Sequence, residues 1–415
     1  MCPISLQIMK DPVTAASGIT YDRDSIEKWL SDGRGTMLCP VTKQPLPRGA
    51  ELTPNHTLHR LIQSWAAAGA AAGVHRIPPP NPPLTKAYAV NLVRALSVPI
   101  LRLKALRKLD MVAAESERNR KFMAEAGVVK EMLSFVVECY KEGKTAGLEE
   151  ALRILYLMRN FSGELSQFVS SENDRILDSF LWVLDNYDPA GDIKTHALCV
   201  LRTLMAKGDY SAALLERLKP ELLKKLVTIL RESEKNKMNP QGINAALHVM
   251  SAACHWGRNR AAMNESGAVF ELIEVEINNS RENKTTELVL GILSHLCCCA
   301  DGRAQLVGHA AGIAAVSHAI LKVSARADDE ALRVLSSISR FSATSRVIGE
   351  MARVGTVAKL CMVLQANCAS SLKDKAREIL RTHSDIWKDS PCVEMLATFT
   401  VQGVLPPHHH HPFQS

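Results

Sequence analysis

From residue 105 onward the chain repeats itself, and this feature constrains its fold more than any other. An apolar pentapeptide, usually small-Leu-x-aliphatic-Leu, recurs at Ala105, Ala151, Ala197, Ala246, Val289, Ala331 and Ala376, at intervals of 46, 46, 49, 43, 42 and 45 residues. A period of about 45 residues suits a unit of two or three helices that cannot bury its own apolar face. Such units must stack. About seven of them would share one elongated core and leave a long concave groove along one side.

A second signature keeps a steady distance from the first. Asn119-Arg120 precedes Gly127, Asn259-Arg260 precedes Gly267, Arg303 precedes Gly312 and Arg346 precedes Gly355, each Gly being followed by an apolar helical stretch. A short helix is expected to end near each Gly, which frees the backbone for a sharp turn into the next helix. This arrangement resembles the armadillo repeat, with its short first helix, Gly turn and two longer helices. Pro220 and Pro240 can open helices, because the first turn needs no amide donor there. Importin-like armadillo proteins read basic peptides with Trp and Asn four residues apart on the third helix. The matching pairs here are Arg107 and Met111, Arg153 and Leu157, Cys199 and Thr203, His248 and Ala252, and Arg333 and Ser337. That ladder is absent, and the arginines favour an acidic partner over a basic one if they are free.

Composition narrows the class further. With 47% hydrophobic, 22% charged and only 5% aromatic residues, the chain reads as folded and helix-rich, not disordered or fibrous. No apolar run approaches the ~20 residues that a membrane-spanning helix requires. The net charge of +7 is spread along the chain, since residues 1–70 hold seven positive and six negative side chains. No nucleic-acid partner is therefore expected. The eleven cysteines are odd in number and lie mostly in apolar helical stretches, so a reducing compartment is expected and none is assigned to catalysis. Five prolines within Pro78–Pro83 forbid helix and mark a spacer. The run His408–His411, set among prolines at the terminus, reads as a disordered tail and not as a metal site.

The first seventy residues carry the most specific motifs. They read Cys2-Pro3-Ile4-Ser5-Leu6, Met9-Lys10-Asp11-Pro12-Val13, Gly18-Ile19-Thr20-Tyr21-Asp22-Arg23, Ile26-Glu27-Lys28-Trp29-Leu30, Cys39-Pro40-Val41-Thr42 and Leu52-Thr53-Pro54-Asn55. This stretch resembles the U-box, the ubiquitin-ligase module with the shape of a RING domain and no zinc. Followed by armadillo repeats, it is similar to the plant U-box ubiquitin ligases over nearly the whole chain. The residues agree on the metal: a RING needs about eight Cys or His ligands in paired spacings. Residues 1–70 offer only Cys2, Cys39, His56 and His59. The two loops must then be held by polar contacts, for which Ser5, Thr20, Asp22, Arg23, Thr42 and Asn55 are the candidates. Asp22 is expected to cap the helix through Ile26, Trp29 and Leu30, and Asn55 to precede a helix with Leu58, Leu61, Ile62 and Trp65 on one side.

The expected fold is thus mainly α. It comprises a small α+β, zinc-free RING-like module over residues 1–70, an Ala/Pro-rich linker over 71–88, a right-handed α-solenoid of about seven armadillo repeats over 89–405, and a disordered tail over 406–415. The resemblance implies a ligase with no nucleophile, no metal and no cofactor, which docks a ubiquitin-charged conjugating enzyme while the repeats hold a protein substrate. Rate enhancement would then come from restraining the thioester-linked ubiquitin in geometries that a substrate lysine can attack. The docking surface maps onto Ile4 and Leu6 in the first loop, Trp29 in the helix, and Pro40 and Lys43 in the second loop. Some U-boxes have Arg where Lys43 stands, and Lys keeps the charge without the planar two-pronged donor. The family's module also extends several residues ahead of the position of Cys2, so a preceding stretch is expected. The resemblance further implies stress or defence signalling in the cytosol, with the nucleus or membrane periphery as further locations and self-association left open. The rival reading is a non-catalytic armadillo scaffold with a regulatory U-box.

Overall fold

The computed structural model describes residues 1–31, 38–46, 51–70, 85–160, 166–187, 192–206, 211–233, 238–278 and 283–387. The proline spacer and the His-rich tail lie outside these residues.

The N-terminal unit contains β1 (Pro12–Thr14), β2 (Thr20–Asp22), α1 (Arg23–Ser31), β3 (Thr53–Pro54) and α2 (His56–Ala70). The strands pair antiparallel in the order β2-β1-β3, with Val13 opposite both Tyr21 and Pro54. Gly18, at φ +76°, makes the hairpin turn, in a left-handed conformation that costs a glycine nothing sterically. A small core forms from Cys2, Met9, Val13, Ala15, Tyr21, Ile26, Cys39 and Leu46. The apolar stripe of α2 divides: Leu58 and Ile62 pack on this core, while Leu61 and Trp65 are exposed.

The second unit opens with α3 (Lys86–Leu96) and α4 (Pro99–Glu115). One repeat follows as α5 (Glu117–Glu125), α6 (Val128–Glu142) and α7 (Leu148–Leu157). In the next, α8 (Ser166–Asn186) joins the first two helices across a kink at Glu172, and α9 (Asp192–Ala206) is the third. Three further repeats are α10 (Ser211–Glu216), α11 (Pro220–Glu232) and α12 (Pro240–Ala253); α13 (Gly257–Glu265), α14 (Ala268–Asn278) and α15 (Asn283–Leu296); and α16 (Ala300–Gly308), α17 (Gly312–Ala319) and α18 (Ala325–Phe341). The last is α19 (Ser345–Arg353), α20 (Thr356–Gln365) and α21 (Ser370–Thr382), ended by α22 (Ser384–Trp387). Every pentapeptide falls on a third helix, or on α4, and its leading residue is buried. Successive third helices, from α4 to α21, pack on one another and form a continuous face.

The second signature also has a structural meaning. Gly127, Gly267 and Gly355 adopt left-handed φ values of 79°, 79° and 81°, as the turn requires. Gly312 serves another purpose, because a Cβ there would sit 2.1 Å from the Leu306 carbonyl oxygen. The preceding arginines cap the helix behind them. Arg120 donates to Ala113 O at 2.8 Å, Arg260 to Cys254 O at 2.8 Å, and Arg303 to Cys297 O and Cys298 O, both at 3.0 Å. Those carbonyls lie at the ends of α4, α12 and α15, where the last turn has no intrahelical donor to offer. Arg346 departs from the pattern and lies exposed near Glu350. Pro220 and Pro240 occupy first turns, as their position allows. Trp387 is 2% exposed and donates to Ile348 O at 3.3 Å, so an indole packs against the last repeat. No described helix is long and apolar enough to cross a membrane.

Candidate functional site

Two loops of the N-terminal unit are built alike. Cys2-Pro3-Ile4-Ser5-Leu6-Gln7 and Cys39-Pro40-Val41-Thr42-Lys43-Gln44 match position by position in residue type or size, apart from Leu6 and Lys43. Their backbones match as well. Cys2 N donates to Gln7 O at 2.7 Å and Leu6 N to Cys2 O at 2.9 Å; Cys39 N donates to Gln44 O at 2.8 Å and Lys43 N to Cys39 O at 2.9 Å.

Neighbouring residues of β2 hold the two loops together. Tyr21 hydroxyl lies 2.9 Å from Cys39 Sγ, and Asp22 N donates to Cys2 Sγ at 3.3 Å. Burial and the bond to Cys39 push the Tyr21 hydroxyl's pKa well above its ordinary value, so it stays protonated and acts as the donor. Burial alone would raise both thiols, but hydrogen bonds outweigh it. Amides of Ser5 and Asp22 bring Cys2 down to about 7, and Thr42 and Tyr21 help bring Cys39 down to about 6. These thiols are therefore polar fasteners and not merely the small apolar core residues that their type suggests. The repeated Cys-Pro hexapeptide is the sequence signal for them.

The remaining polar candidates complete the brace. Asp22 does not turn toward α1 as a helix cap; its Oδ1 accepts from Lys10 N at 2.7 Å and Asp11 N at 3.0 Å. The chain end of the first loop thus outcompetes the helix for that carboxylate. Arg23 pairs with Asp11 at 2.5 Å. Asn55 caps α2 by accepting from Leu58 N at 3.0 Å, and its amide donates to Thr20 Oγ1 at 3.2 Å. Thr14 and Thr20 hydroxyls meet at 2.9 Å.

On this frame Ile4 is half-buried against the small core, whereas Leu6 is 73% exposed and therefore not core. Trp29 is 46% exposed, and its indole N–H donates to Leu38 O at 3.0 Å, which ties α1 to the start of the second loop. Pro40 is half-buried and Lys43 exposed. Two exposed apolar neighbours, Ile8 and Val41, extend the same loops and went unnoticed in the sequence. Among the described residues, no group of three or more His, Cys, Asp or Glu side chains could hold a metal ion.

The third-helix face has a different character from the one its arginines suggest. Arg107 pairs with Glu150 at 3.6 Å, Arg153 with Asp110 at 2.9 Å, and Arg333 with Asp329 at 2.9 Å. The first two pairs link α4 to α7. The charges of Arg107 and Arg153 are thus matched one to one, whereas Asp329 is shared by Arg333 and Lys375, which leaves one positive charge there.

A RING-shaped unit braced by thiols and side-chain hydrogen bonds, joined in one chain to an armadillo solenoid, defines a class, and comparison with known proteins agrees. A U-box domain family matches residues 1–70, and the family described as the plant U-box protein ARM repeat region matches residues 90–402. The chain belongs to the plant U-box ubiquitin ligases with C-terminal armadillo repeats. Among its relatives in Arabidopsis thaliana, E3 ubiquitin-protein ligase PUB24 is 39% identical over 98% of this chain and 96% of that protein. E3 ubiquitin-protein ligase PUB23 is 39% identical, covering 95% and 94%, and PUB22 is 36% identical, covering 95% of each. An engineered protein of known structure superposes with a TM-score of 0.51 at 16% identity, over 84% of this chain and 82% of that one, a likeness of fold alone.

Proposed function

We propose that residues 1–70 dock a ubiquitin-conjugating enzyme on Ile4, Leu6, Trp29, Pro40 and Lys43, while the third-helix face holds the protein that receives ubiquitin. The observation that carries this reading is the pair of matched loops fastened to adjacent residues of β2, with exposed apolar side chains on both. Exposed aromatic and aliphatic anchors on a braced frame supply docking energy without an ordering cost at the moment of binding. The chain needs no nucleophile. A lysine amine of the substrate attacks the thioester carbonyl of the charged conjugating enzyme, the enzyme's thiol leaves, and the ligase contributes by restricting the reactants' freedom. The buried, unpaired thiols of the solenoid, such as Cys254 and Cys297, whose pKa values burial lifts to about 12, suit a reducing compartment, and we place the chain in the cytosol.

The test is reconstitution of the full chain with ubiquitin, activating enzyme and a panel of conjugating enzymes. Ubiquitin chains on the ligase itself, lost in an Ile4→Ala, Pro40→Ala double variant that melts as the wild type does, are the expected result. Silence with every conjugating enzyme from a folded sample would leave a scaffold.

A further inference from the structure

Among the described residues Arg346 differs from the other turn arginines in capping no carbonyl. Arg120 binds the carbonyl seven residues before it, Ala113 O, and the carbonyl in that place for Arg346 is Ser339 O. His383, just past α21, has taken it: its Nε2 lies 3.0 Å from Ser339 O and 2.9 Å from Ser339 Oγ. An imidazole from the far end of the last repeat thus supplies the cap, and Arg346 is released from it.

Arg346 instead lines a cleft of about 250 Å³ formed by the end of α16, the turn into α17, the start of α17 and α19. No third helix contributes, so the cleft stands apart from the face proposed to hold the substrate. Its volume is below the roughly 300–1,000 Å³ of sites for drug-sized molecules and suits one side chain.

The charges in the cleft can be assigned in turn. Arg353 donates to both carboxylate oxygens of Glu350, at 2.7 and 2.6 Å. These bonds, with the charges of Arg353 and Arg346, hold Glu350 below the ordinary carboxylate range, so it is ionised. Glu274 of α14 is engaged by His309, whose Nε2 lies 2.8 Å from it and whose Nδ1 accepts from Ala311 N at 3.1 Å. An Nδ1 that accepts holds no proton, so His309 is neutral and its Nε2–H is the donor to Glu274. Among the described residues the Arg346 guanidinium has no carboxylate at ion-pair distance. Two guanidiniums therefore share Glu350, and one positive charge is left over.

That surplus narrows the ligand. A carboxylate balances it, and its two oxygens match the planar fork of a guanidinium. A phosphate, at about −1.5 to −2, would exceed the surplus and face Glu350. A basic group would add to it, and an apolar one would strip water from a charge without replacing it.

We propose that this cleft takes one aspartate or glutamate side chain of a protein partner, held by Arg346 with Arg353 beside it. The site stands whether or not the third-helix face holds the substrate.

The probe is a displayed library of random dodecapeptides, selected on the full chain and counterselected on Arg346→Gln. Surviving peptides should share one acidic residue at a fixed place and bind Arg346→Gln at least about tenfold more weakly than wild type. Replacing that residue by its amide should lose as much. Arg346 is exposed, so the variant should melt as the wild type does. Glu350→Gln removes the resident carboxylate and should tighten the same peptides several-fold, a change that a folding defect cannot produce. Failure of any peptide to survive on a folded chain, survivors without a shared acidic residue, or amide peptides that bind equally well overturn the site. Weaker binding by a Glu350→Gln chain that melts normally overturns it too. Phosphoserine in place of the acidic residue, if bound tenfold more tightly, would overturn the carboxylate assignment.

Discussion

Leu6 and Lys43 are structural counterparts: each is the fifth residue of a Cys-Pro hexapeptide, and each holds a left-handed backbone, at φ 56° and 59°. Neither is the glycine, Asn or Asp that tolerates this region easily. In both loops the left-handed residue's amide returns to the carbonyl of the leading cysteine, which closes the loop and turns the side chain outward. Two of the five side chains expected to meet the conjugating enzyme thus stand on left-handed backbones, and the thiols behind them help keep the loops closed.

Glycine at either position separates the two roles. The left-handed conformation costs a non-glycine residue roughly 1–2 kcal/mol, against about 0.5–1 kcal/mol of extra chain entropy for glycine. Leu6→Gly and Lys43→Gly should therefore melt at or slightly above the wild type while slowing discharge of the charged conjugating enzyme several-fold. Lys43→Arg should do the reverse for discharge, because a planar guanidinium can bridge two acceptors. A large drop in melting temperature for both glycine variants would mean that these side chains support the loops and do not serve docking.

Trp29 has two partners, and its variants distinguish them. The indole N–H bond to Leu38 O is worth about 1 kcal/mol, and half of the ring faces solvent. Trp29→Ala should cost about 1–2 kcal/mol of stability, well below the roughly 3–5 kcal/mol of a core tryptophan, yet remove most ubiquitin transfer. Trp29→Phe should lose the bond and retain part of the transfer. Calorimetry paired with a discharge assay checks both, and normal transfer by Trp29→Ala would exclude the ring from the docking surface.

The solenoid was legible in the sequence because its signals are periodic and local. Small-Leu pentapeptides mark buried third helices, and Gly127, Gly267 and Gly355 mark turns that need a positive φ. Other features depend on contacts that residue type does not announce. Asp22 looks like a helix cap, but the amides of Lys10 and Asp11 reach it; Arg107 and Arg153 look like free charge, but the carboxylates that pair with them lie about 40 residues away in the adjacent repeat. A leucine in a loop serves core and contact equally well, and only the 73% exposure of Leu6 assigns it to contact. The Cys-Pro echo was visible all along, but its meaning depends on Tyr21 and Asp22 lying between the loops.

The Asn-Arg pairs that precede the turns should act as fasteners between repeats. Asn259 is 1% exposed, and its amide donates to Leu215 O at 3.0 Å and to Ala253 O at 3.3 Å. Asn259→Ala leaves two buried carbonyls without that donor, a loss of about 1–3 kcal/mol. An array of repeats need not unfold in one step, so the effect is best read locally. Hydrogen exchange should accelerate at the end of α12 and through α13 while α18 to α21 stay protected. Uniform acceleration along the whole solenoid would show that the pair is not a local fastener.

Cys39 makes the stability of the N-terminal unit depend on pH in a direction opposite to that of an inert buried thiol. It ionises at about 6 in the folded chain against an ordinary value of 9.0, and Cys2 at about 7. Between these values the unfolded chain binds more protons than the folded one, so stability rises with pH from about 6 toward 9 and is lost as pH falls through about 6. A gain of about 1 kcal/mol would raise the melting temperature of so small a unit by roughly 4–8 °C. Cys39→Ser keeps a polar acceptor for Thr42 N and the Tyr21 hydroxyl but cannot titrate, so most of the slope should disappear and only the part due to Cys2 should remain. Melting of the N-terminal unit at several pH values, for wild type and Cys39→Ser, provides the comparison. A wild-type curve that is flat or falls over this interval would return Cys39 to the role of a plain core residue.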